Sequence, residues 1–332
     1  MKNIFITGGG GYCGAILVPK LLDKGYNVCV YDTFYFGSDH LNYHPNLKLI
    51  KGDLRDRSKL RESLKNQNSV IHLACISNDA SFELNESLST SINYDAFEPL
   101  VSESKNNGVN RFIYASSSSV YGVSKEKNVK EDHALVPLTL YNKYKGLCEP
   151  ILLSEINNNF VGTIFRPATV CGYSPRMRFD LSVNILTNLA IRNSKITVFG
   201  GDQLRPNLHI EDYSRVVIKI LESEVEKING EIFNVGSQNL SILEIANLVK
   251  NTVPKYINNI NDISIEITSS NDPRSYHINS DKIKDTLNFS TMFTVEDAIK
   301  DICNAFSKNL FKDSLENINY FNVKKVKSLN VK

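Results

Sequence analysis

Several features that define other classes of protein are missing from this sequence. No apolar stretch is long enough to span a membrane, and no leader segment of the secretory type is found. We therefore expect a cytoplasmic protein with no membrane partner. The formal net charge is only +2, because 38 basic residues offset 36 acidic ones. This balance gives no indication of a nucleic-acid partner, and the basic run at residues 324–332 is typical of a solvated tail.

Paired-cysteine motifs are also absent. The chain has 332 residues and six cysteines, of which no two form a C-x-x-C pair. Most lie in apolar runs, which is typical of small buried side chains in a reducing compartment and gives no indication of a metal site. The six are Cys13, Cys29, Cys75, Cys148, Cys171 and Cys303. With 42% hydrophobic and 22% charged residues, the composition is that of a globular protein with one large or two closely joined domains.

Glycine is concentrated near the start of the chain. A short apolar and β-branched run at residues 3–7 predicts a buried strand, and residues 15–22 predict a helix. Between them, Gly8, Gly11 and Gly14 follow the pattern G-x-x-G-x-x-G. Such a turn lets backbone N–H groups and a helix N-terminus approach a pyrophosphate. An ordinary glycine-rich turn is the alternative, but the strand and helix on either side favour a dinucleotide site.

An acidic residue lies where a dinucleotide-binding fold places its ribose ligand. Asp32 ends a second apolar run, residues 28–31, and follows Gly14 by 18 residues. Its carboxylate would accept hydrogen bonds from ribose hydroxyls and repel a 2′-phosphate. No Arg or Lys lies within residues 8–14 or directly after Asp32. The sequence therefore predicts NAD rather than NADP.

Strand-like and helix-like segments alternate through the first half of the chain. This alternation predicts an α/β fold, a Rossmann-type doubly wound parallel sheet with helices on both faces. Predicted strands follow at residues 28–31, 47–51, 70–74, 112–115, 161–165, 195–199 and 231–235, and predicted helices at 57–65, 90–106, 141–156, 181–191, 242–249 and 295–306. Pro19 lies inside the first predicted helix, where we expect a local bend.

Two polar residues end predicted strands. Asp53 follows the third strand in Gly52-Asp53-Leu54 and would stand at the edge where nucleotides bind. A turn or helix-cap role is the alternative, and the neighbouring dinucleotide site favours an adenine contact. His72 ends the fourth strand and is interpreted as a packed core histidine rather than a catalytic group.

Candidate catalytic residues follow in two segments. Residues 111–122 read RFIYASSSSVYG, which is a strand running into four serines at its carboxyl end. Tyr141 and Lys145 form a Y-x-x-x-K pair on a predicted helix, where residues four apart share one face. The lysine charge would lower the pKa of the phenol, which is about 10 in model peptides.

Together these motifs resemble those of the extended short-chain dehydrogenases/reductases, in particular the NAD-dependent nucleotide-sugar epimerase/dehydratase family, which includes UDP-glucose 4-epimerase. The family pattern T-G-G-x-G-x-x-G corresponds to residues 7–14, G-D-L/I to residues 52–54, and S-S-x-x-V-Y-G to residues 116–122. The landmarks recur in order from residue 3 to about residue 289. The resemblance implies a Rossmann-type fold with a smaller C-terminal substrate-binding region.

The resemblance also implies roles for individual residues. Ser117 takes the catalytic Ser/Thr position, Tyr141 is the general acid/base, and Lys145 holds the ribose and tunes Tyr141. The residues expected to contact NAD are Gly8, Gly11, Tyr12, Cys13, Gly14, Asp32, Asp53, Leu54, Leu73, Ala74, Asn93, Ser116, Tyr141, Lys145 and Pro167. The residues expected to contact a nucleotide-diphosphate sugar are Asn78, Ser118, Ser119, Thr169, Arg178, Asn184, Arg205 and Arg274.

Arginine pairs suit a diphosphate, because each guanidinium donates two parallel hydrogen bonds, and Arg205 and Arg274 are the expected pair. The sequence also departs from the family pattern. Thr169 and Tyr173 replace the usual Asn and Pro of R-x-x-N-V-Y-G-P, and Ser77 lies where some 4-epimerases have a cofactor-contacting lysine. The change at Thr169 or at Ser77 could weaken the hold on sugar or cofactor.

The expected domain organisation follows from the same comparison. Residues 1–166 would form the NAD-binding domain, with residues 208–237 returning to it. Residues 167–207 and 238–312 would form the substrate-binding region, and residues 313–332 a tail without assigned role. Family members commonly pair two helices into a four-helix bundle, which predicts a homodimer through residues 90–106 and 141–156. The apolar edge expected there comprises Phe97, Leu100, Val101, Leu147, Ile151 and Leu152.

The residues after Ser117 bear on the reaction. The 4,6-dehydratases of the family carry Asp-Glu there, and the 3,5-epimerases carry a cysteine at the second place. This chain has Ser118 and Ser119, whose hydroxyls are poorly suited to those steps. The resemblance therefore favours epimerisation at carbon 4 of a nucleotide sugar. Net oxidation at carbon 4 is the alternative; a dehydratase or a non-catalytic nucleotide-binding protein is disfavoured, the latter by the intact Ser117, Tyr141 and Lys145.

Overall fold

The computed structural model describes residues 2–124, 126, 128–269 and 275–329. Its strands are β1 Asn3–Thr7, β2 Asn27–Asp32, β3 Leu47–Lys51, β4 Ser69–His72, β5 Arg111–Ala115, β6 Val161–Pro167, β7 Thr169–Cys171, β8 Lys195–Phe199, β9 Leu204–His209, β10 Ile232–Val235, β11 Gln238–Ser241 and β12 Ser264–Thr268. Its helices are α1 Gly14–Asp23, α2 Arg57–Leu64, α3 Asp79–Glu83, α4 Glu86–Thr90, α5 Phe97–Asn106, α6 Leu140–Glu155, α7 Ser182–Asn193, α8 Ile210–Glu222, α9 Ile242–Tyr256, α10 Asp281–Leu287, α11 Val295–Ser307 and α12 Asn322–Ser328.

Seven parallel strands form the central sheet, in the order β10-β6-β5-β4-β1-β2-β3. Alternate side chains of each buried strand point to opposite faces. On one face Ile4 of β1 packs with Leu17 of α1 and Val216 of α8. On the other face Phe5 packs in a cluster with Leu100 of α5. Helices cover both faces, so the expected Rossmann-type doubly wound sheet is confirmed.

The strand order reverses beside β1, and this reversal creates the cavity. From β1 the chain runs outward through β2 and β3, and then returns to place β4 on the other side of β1. The loops that follow β1 and β4 therefore diverge at the carboxyl edge of the sheet, where nucleotides bind in folds of this type. Gly8 and Ala74 meet at this point.

A smaller region lies beyond β6. It contains a three-stranded sheet in the order β11-β9-β7 and a two-stranded pair of β12 with β8. Val183 of α7, Ile245 of α9 and Ile299 of α11 share its buried cluster. In the part of the chain that the structure describes, no helix is long and apolar enough to cross a membrane.

Local details differ from the sequence-based expectations. The predicted helix over residues 90–106 is divided: α4 ends at Thr90, a π-helical turn covers Ser91–Asp95, and α5 begins at Phe97. Helix α1 continues through Pro19, which is exposed to solvent. The predicted strand 70–74 ends at His72, so the two residues after it belong to the cavity loop. His72 is a core histidine as expected, because it is 3% exposed and its Nδ1 lies 2.7 Å from Thr7 Oγ1.

The apolar edge expected to form a dimer interface is largely part of the core. Phe97, Leu100, Val101 and Leu152 are each at most 1% exposed and pack in the cluster behind the sheet. Leu147 is 40% exposed. Packing on the sheet thus accounts for most of the apolar residues on these two helices, and the homodimer stays a prediction.

Candidate active site

A cavity of about 660 Å³ opens at the carboxyl edge of the sheet. Its walls come from the loops after β1, β2, β3, β4 and β5, from α6, and from the smaller region. Most of the residues singled out in the sequence lie in these walls. They are Gly8, Gly11, Tyr12, Cys13, Gly14, Asp32, Asp53, Leu54, Leu73, Ala74, Asn78, Ser116, Ser117, Ser118, Ser119, Tyr141, Lys145, Pro167, Thr169, Arg178 and Arg205.

The glycine loop is shaped so that side chains cannot be added. Gly8 has φ +75°, and a Cβ there would lie 2.5 Å from the backbone nitrogen of Ala74. A Cβ on Gly14 would lie 2.2 Å from the carbonyl oxygen of Gly9. Helix α1 begins at Gly14, and the Cys13 side chain makes no capping hydrogen bond to it. The first turn of the helix therefore faces the cavity with its positive dipole end, as an anion requires.

Asp32 is held at the end of β2 by two backbone donors. Its Oδ2 accepts from the Gly10 N–H at 3.0 Å, and its Oδ1 accepts from the Phe34 N–H at 2.8 Å. Burial raises the pKa of this carboxyl, and the two backbone hydrogen bonds oppose that rise. Each oxygen retains a lone pair for a hydroxyl group. The glycine cradle and this carboxylate fit the dinucleotide that the sequence predicts.

Asp53 has a local partner that the sequence analysis did not anticipate. Its carboxylate accepts from Arg55 Nε at 3.0 Å and from Arg55 Nη2 at 2.8 Å. These hydrogen bonds hold the pKa of Asp53 below its ordinary value. The carboxylate therefore reaches the cavity edge as an ion pair.

The serine segment is fixed by side-chain hydrogen bonds. Ser117 caps the 3-10 turn Ser118–Tyr121, and its Oγ lies 2.7 Å from Ser119 Oγ. Ser119 Oγ in turn donates to the side-chain oxygen of Asn142 on α6. Ser116 Oγ points the other way and donates to Glu149 Oε1 at 2.6 Å. Ser117 and Ser119 therefore face the cavity, whereas the Ser116 hydroxyl is hydrogen-bonded within the core.

Tyr141 and Lys145 lie on α6 opposite the serines, but the structure corrects the expected electrostatics. Lys145 Nζ donates to the Ala115 carbonyl at 2.7 Å, and the side chain is 5% exposed. Burial raises the pKa of Tyr141 well above 10, and the side chains of Cys75 and Asp79 raise it further. The Arg178 charge opposes this rise, and the Lys145 ammonium is directed to a backbone carbonyl.

Arginines form the side of the cavity contributed by the segment after β7. Arg178 makes a two-point ion pair with Asp180, with Nε–Oδ1 2.9 Å and Nη2–Oδ2 3.1 Å, and its Nη1 donates to Ser77 Oγ at 3.1 Å. Asn78 Nδ2 donates to Asp180 Oδ2 at 3.2 Å. Asp180 therefore neutralises the charge of Arg178 within the chain. Arg205 lies on β9 and donates from Nη1 to the Leu204 carbonyl at 3.0 Å.

Two residues expected in the site have other positions. Asn93 lies behind the cavity wall, where its amide accepts from the Ile76 N–H at 2.8 Å and donates to the Ile76 carbonyl at 3.0 Å. Asn184 is fully buried. Its side-chain oxygen accepts from the Gly172 N–H, and its Nδ2 donates to the Tyr12 hydroxyl and the Arg178 carbonyl. Both support loops instead of lining the cavity. Arg274 lies outside the described residues.

The structure also adds residues that were not assigned from the sequence. Arg176 lines the cavity and stacks on Phe36, with its Cζ 3.5 Å from the ring centroid. Asn322 and Val326 of the C-terminal segment line it as well. The sequence signal for this arginine is its place four residues after Gly172, directly beyond the R-x-x-N-V-Y-G-P-like motif. No sequence signal marked Asn322.

Comparison with known proteins places these features in a family. A model described as the NAD dependent epimerase/dehydratase family matches residues 4–236. The UDP-N-acetyl-alpha-D-glucosaminuronate decarboxylase of Bacillus cytotoxicus is 28% identical over 262 residues, which cover 74% of this chain and 78% of that protein. The UDP-glucose 4-epimerase of Lactobacillus helveticus is 26% identical over 274 residues, covering 74% and 81%. The structure of UDP-glucuronic acid 4-epimerase from Bacillus cereus, with UDP-glucuronic acid and NAD, has a TM-score of 0.82 at 25% identity and covers 93% of this chain and 100% of that one.

Proposed function

Because the chain belongs to the NAD-dependent epimerase/dehydratase family, we propose that it is a nucleotide-sugar 4-epimerase. Such an enzyme oxidises carbon 4 of the sugar to a ketone and reduces it again from the opposite face. The family uses NAD, and relatives of this chain include both 4-epimerases and decarboxylases. The argument for epimerisation therefore depends on the side chains around the catalytic serine.

The proposed roles follow from the chemistry of each side chain. Tyr141 takes the proton from the carbon-4 hydroxyl at its phenolic oxygen and returns it when the ketone is reduced. Ser117 hydrogen-bonds the same substrate oxygen, and Lys145 supplies a positive charge at the end of β5. NAD, when bound, supplies the acceptor and donor of the carbon-4 hydride. The glycine loop and Asp32 would hold the cofactor through both half-reactions.

The observation that carries the proposal is the absence of a carboxylate beside Ser117. Elimination or carbon-acid epimerisation needs an acid/base pair at this point, and the chain has Ser118 and Ser119 instead. The Ser119 hydroxyl is already bonded to Ser117 and to Asn142. A hydroxyl in this network is a poor base for a carbon-bound proton. The keto intermediate is then left to be reduced again.

An epimerase must keep its substrate anchored while the keto sugar turns. We propose that Arg205 and Arg274 bind the diphosphate, since a guanidinium donates two parallel hydrogen bonds to phosphate oxygens. Apolar side chains of the smaller region would hold the nucleotide. Leu181, Leu186 and Phe199 lie in the cavity wall on this side. The division into an NAD-binding part and a substrate-binding part is proposed on the same basis.

Decarboxylation is a second candidate, because the B. cytotoxicus relative is named as a nucleotide-sugar decarboxylase. A carboxylate on carbon 5 is β to a ketone at carbon 4. Carbon dioxide can therefore leave once carbon 4 is oxidised, and carbon 5 then takes a proton. The same first step serves both reactions, so only the products distinguish them.

The proposal is tested by incubating the purified protein with UDP-, GDP- and CDP-sugars, including uronic acids, without added cofactor. Product analysis by chromatography and NMR should give a pair of 4-epimers. NADH, followed at 340 nm, should not exceed one equivalent per active site. Release of carbon dioxide with a pentose product would establish the decarboxylase. Growth of NADH with released keto sugar would establish net oxidation.

The Tyr141→Phe variant should abolish turnover and leave NAD bound. Tyr144→Phe is its matched control: Tyr144 lies about one helical turn further along α6 and packs against Tyr94, with ring centroids 5.0 Å apart. Loss of activity in both variants would point to a general disturbance of α6. The homodimer remains a prediction, and a monomer mass by light scattering would exclude it.

A further inference from the structure

Arg176 is a buried cation with unused hydrogen-bond donors. It is 5% exposed, and within the described residues its Nε and Nη1 have no hydrogen-bond partner. Its Nη2 donates to Asn322 Oδ1 at 2.5 Å. Burial lowers the pKa of Arg176 to about 9, with the Arg178 charge acting in the same direction. Buried donors without partners destabilise a fold, and a ligand that accepts from them would remove this cost.

Arg176 lies at the glycine-loop end of the cavity. The guanidinium rests on Phe36, which follows Asp32 by four residues, and both side chains line the same wall. The carboxylates of Asp180 and Asp32 both raise the pKa of Arg176 and so oppose the effect of burial. The glycine loop, the carboxylate at the end of β2 and the guanidinium therefore surround one part of the cavity. Arg205 lies on β9 in the smaller region and supplies a separate cation.

The C-terminal segment holds the guanidinium in place. Asn322 is 7% exposed, its N–H donates to Asp180 Oδ2 at 3.0 Å, and its Nδ2 donates to Ser77 Oγ at 2.7 Å. Its side-chain oxygen is thereby left to accept from Arg176. The segment is itself secured by the Phe179 N–H, which donates to the Tyr320 carbonyl at 2.8 Å.

We propose that Arg176 binds the pyrophosphate of NAD and that Asn322 is the positioning residue for this contact. Nε and Nη1 are each free to donate a charge-assisted hydrogen bond to a phosphate oxygen. By the family resemblance, some 4-epimerases have a cofactor-contacting lysine where this chain has Ser77. Arg176 would supply the positive charge of that lysine from another segment. The inference rests on the NAD site of the proposed function but does not depend on which sugar reaction follows.

The test is calorimetric titration of Arg176→Met with NAD, NADP and UDP after removal of bound nucleotide. The matched control is Arg57→Met on α2, whose side chain is 62% exposed. NAD binding should weaken roughly tenfold to a hundredfold in Arg176→Met, as for loss of a charge-assisted hydrogen bond, and stay unchanged in the control. UDP binding should stay unchanged in both. Asn322→Ala should weaken NAD binding in the same direction by a smaller factor.

Thermal unfolding separates a ligand role from a structural one. Without nucleotide, Arg176→Met should melt lower than the wild type, because it loses the hydrogen bond to Asn322 and the contact with Phe36. A ligand role is measured instead by the rise in Tm that NAD causes, which should shrink in the variant. An NAD affinity within twofold of wild type would overturn the proposal. Weaker binding of UDP with unchanged binding of NAD would also overturn it. A much larger loss of affinity for NADP than for NAD would overturn it too, because that result would indicate a 2′-phosphate ligand. If no nucleotide sugar is turned over but NAD binding still depends on Arg176, only the proposed function fails.

Discussion

The Arg166 guanidinium and the Glu149 carboxylate form a two-point ion pair beneath the serine segment, with Nε–Oε1 3.0 Å and Nη2–Oε2 2.6 Å. Each side chain is only 3% exposed. Glu149 also accepts from Ser116 Oγ at 2.6 Å, and Arg166 Nη1 donates to the Tyr121 hydroxyl at 2.6 Å. Strand β6 and helix α6 are thereby tied to both ends of the segment that presents Ser117.

Removing the charge of Glu149 should be costly. Glu149→Gln leaves the Arg166 charge buried without a counter-ion, which we expect to lower the free energy of unfolding by about 3–5 kcal/mol. Glu155→Gln is the matched control, on the same helix, because its carboxylate is 40% exposed and pairs with Lys105. The control should lose less than about 1 kcal/mol. Urea unfolding measures both, and equal losses would contradict the account.

A second prediction concerns the close approach at Gly8. Gly8→Ala and Gly25→Ala both place a side chain at positive φ, +75° and +82°, but only the first meets other atoms. We expect Gly25→Ala to lose about 1–2 kcal/mol from backbone strain alone. Gly8→Ala should lose more and should also weaken NAD binding, because the loop must move away from Ala74. The two effects are measured by urea unfolding and calorimetry. Equal losses in the free energy of unfolding, with NAD binding intact, would contradict a role of the close contact at Gly8 in holding NAD.

A third prediction concerns pH. Burial lowers the pKa of His72 to about 3, with the Lys145 charge acting in the same direction, whereas the unfolded chain has the ordinary value near 6.5. Below that value the unfolded state binds a proton that the folded state does not. The free energy of unfolding should therefore fall as the pH drops from 6.5 toward 3, by up to about 1.4 kcal/mol per pH unit. His72→Asn should show a shallower slope in this window. The same slope in both proteins would contradict the prediction.

The sequence could predict features whose signal is local. The glycine loop, Asp32, the serines and the Tyr141–Lys145 pair carry their chemistry within a few residues, and all of them line the cavity. Strand β9 was missed because Pro206 lies in it, although it is the central strand of its sheet. Proline is normally excluded from the central strand of a sheet. Helix α8 begins at Ile210, directly after β9, and was missed with it.

Other features depend on contacts between distant parts of the chain. The hydrogen bond from Asn322 to Ser77 joins residues 245 positions apart, so no spacing could indicate it. The apolar faces of α5 and α6 have the same periodicity whether they cover a sheet or a partner subunit. The burial of Leu100 shows that this residue covers the sheet. The pKa of Tyr141 likewise depends on burial, which the Y-x-x-x-K spacing does not reveal.

Turnover in D₂O tests the central claim most directly. In a 4-epimerase the hydrogen that leaves carbon 4 returns to carbon 4, and no carbon–hydrogen bond exchanges with solvent. Ser118 and Ser119 offer no base for a carbon-bound proton, so NMR of the product should show the 4-epimer with no deuterium on carbon. Deuterium at carbon 3 or carbon 5 of the product would contradict the proposed reaction and indicate a carbon-acid or decarboxylation step.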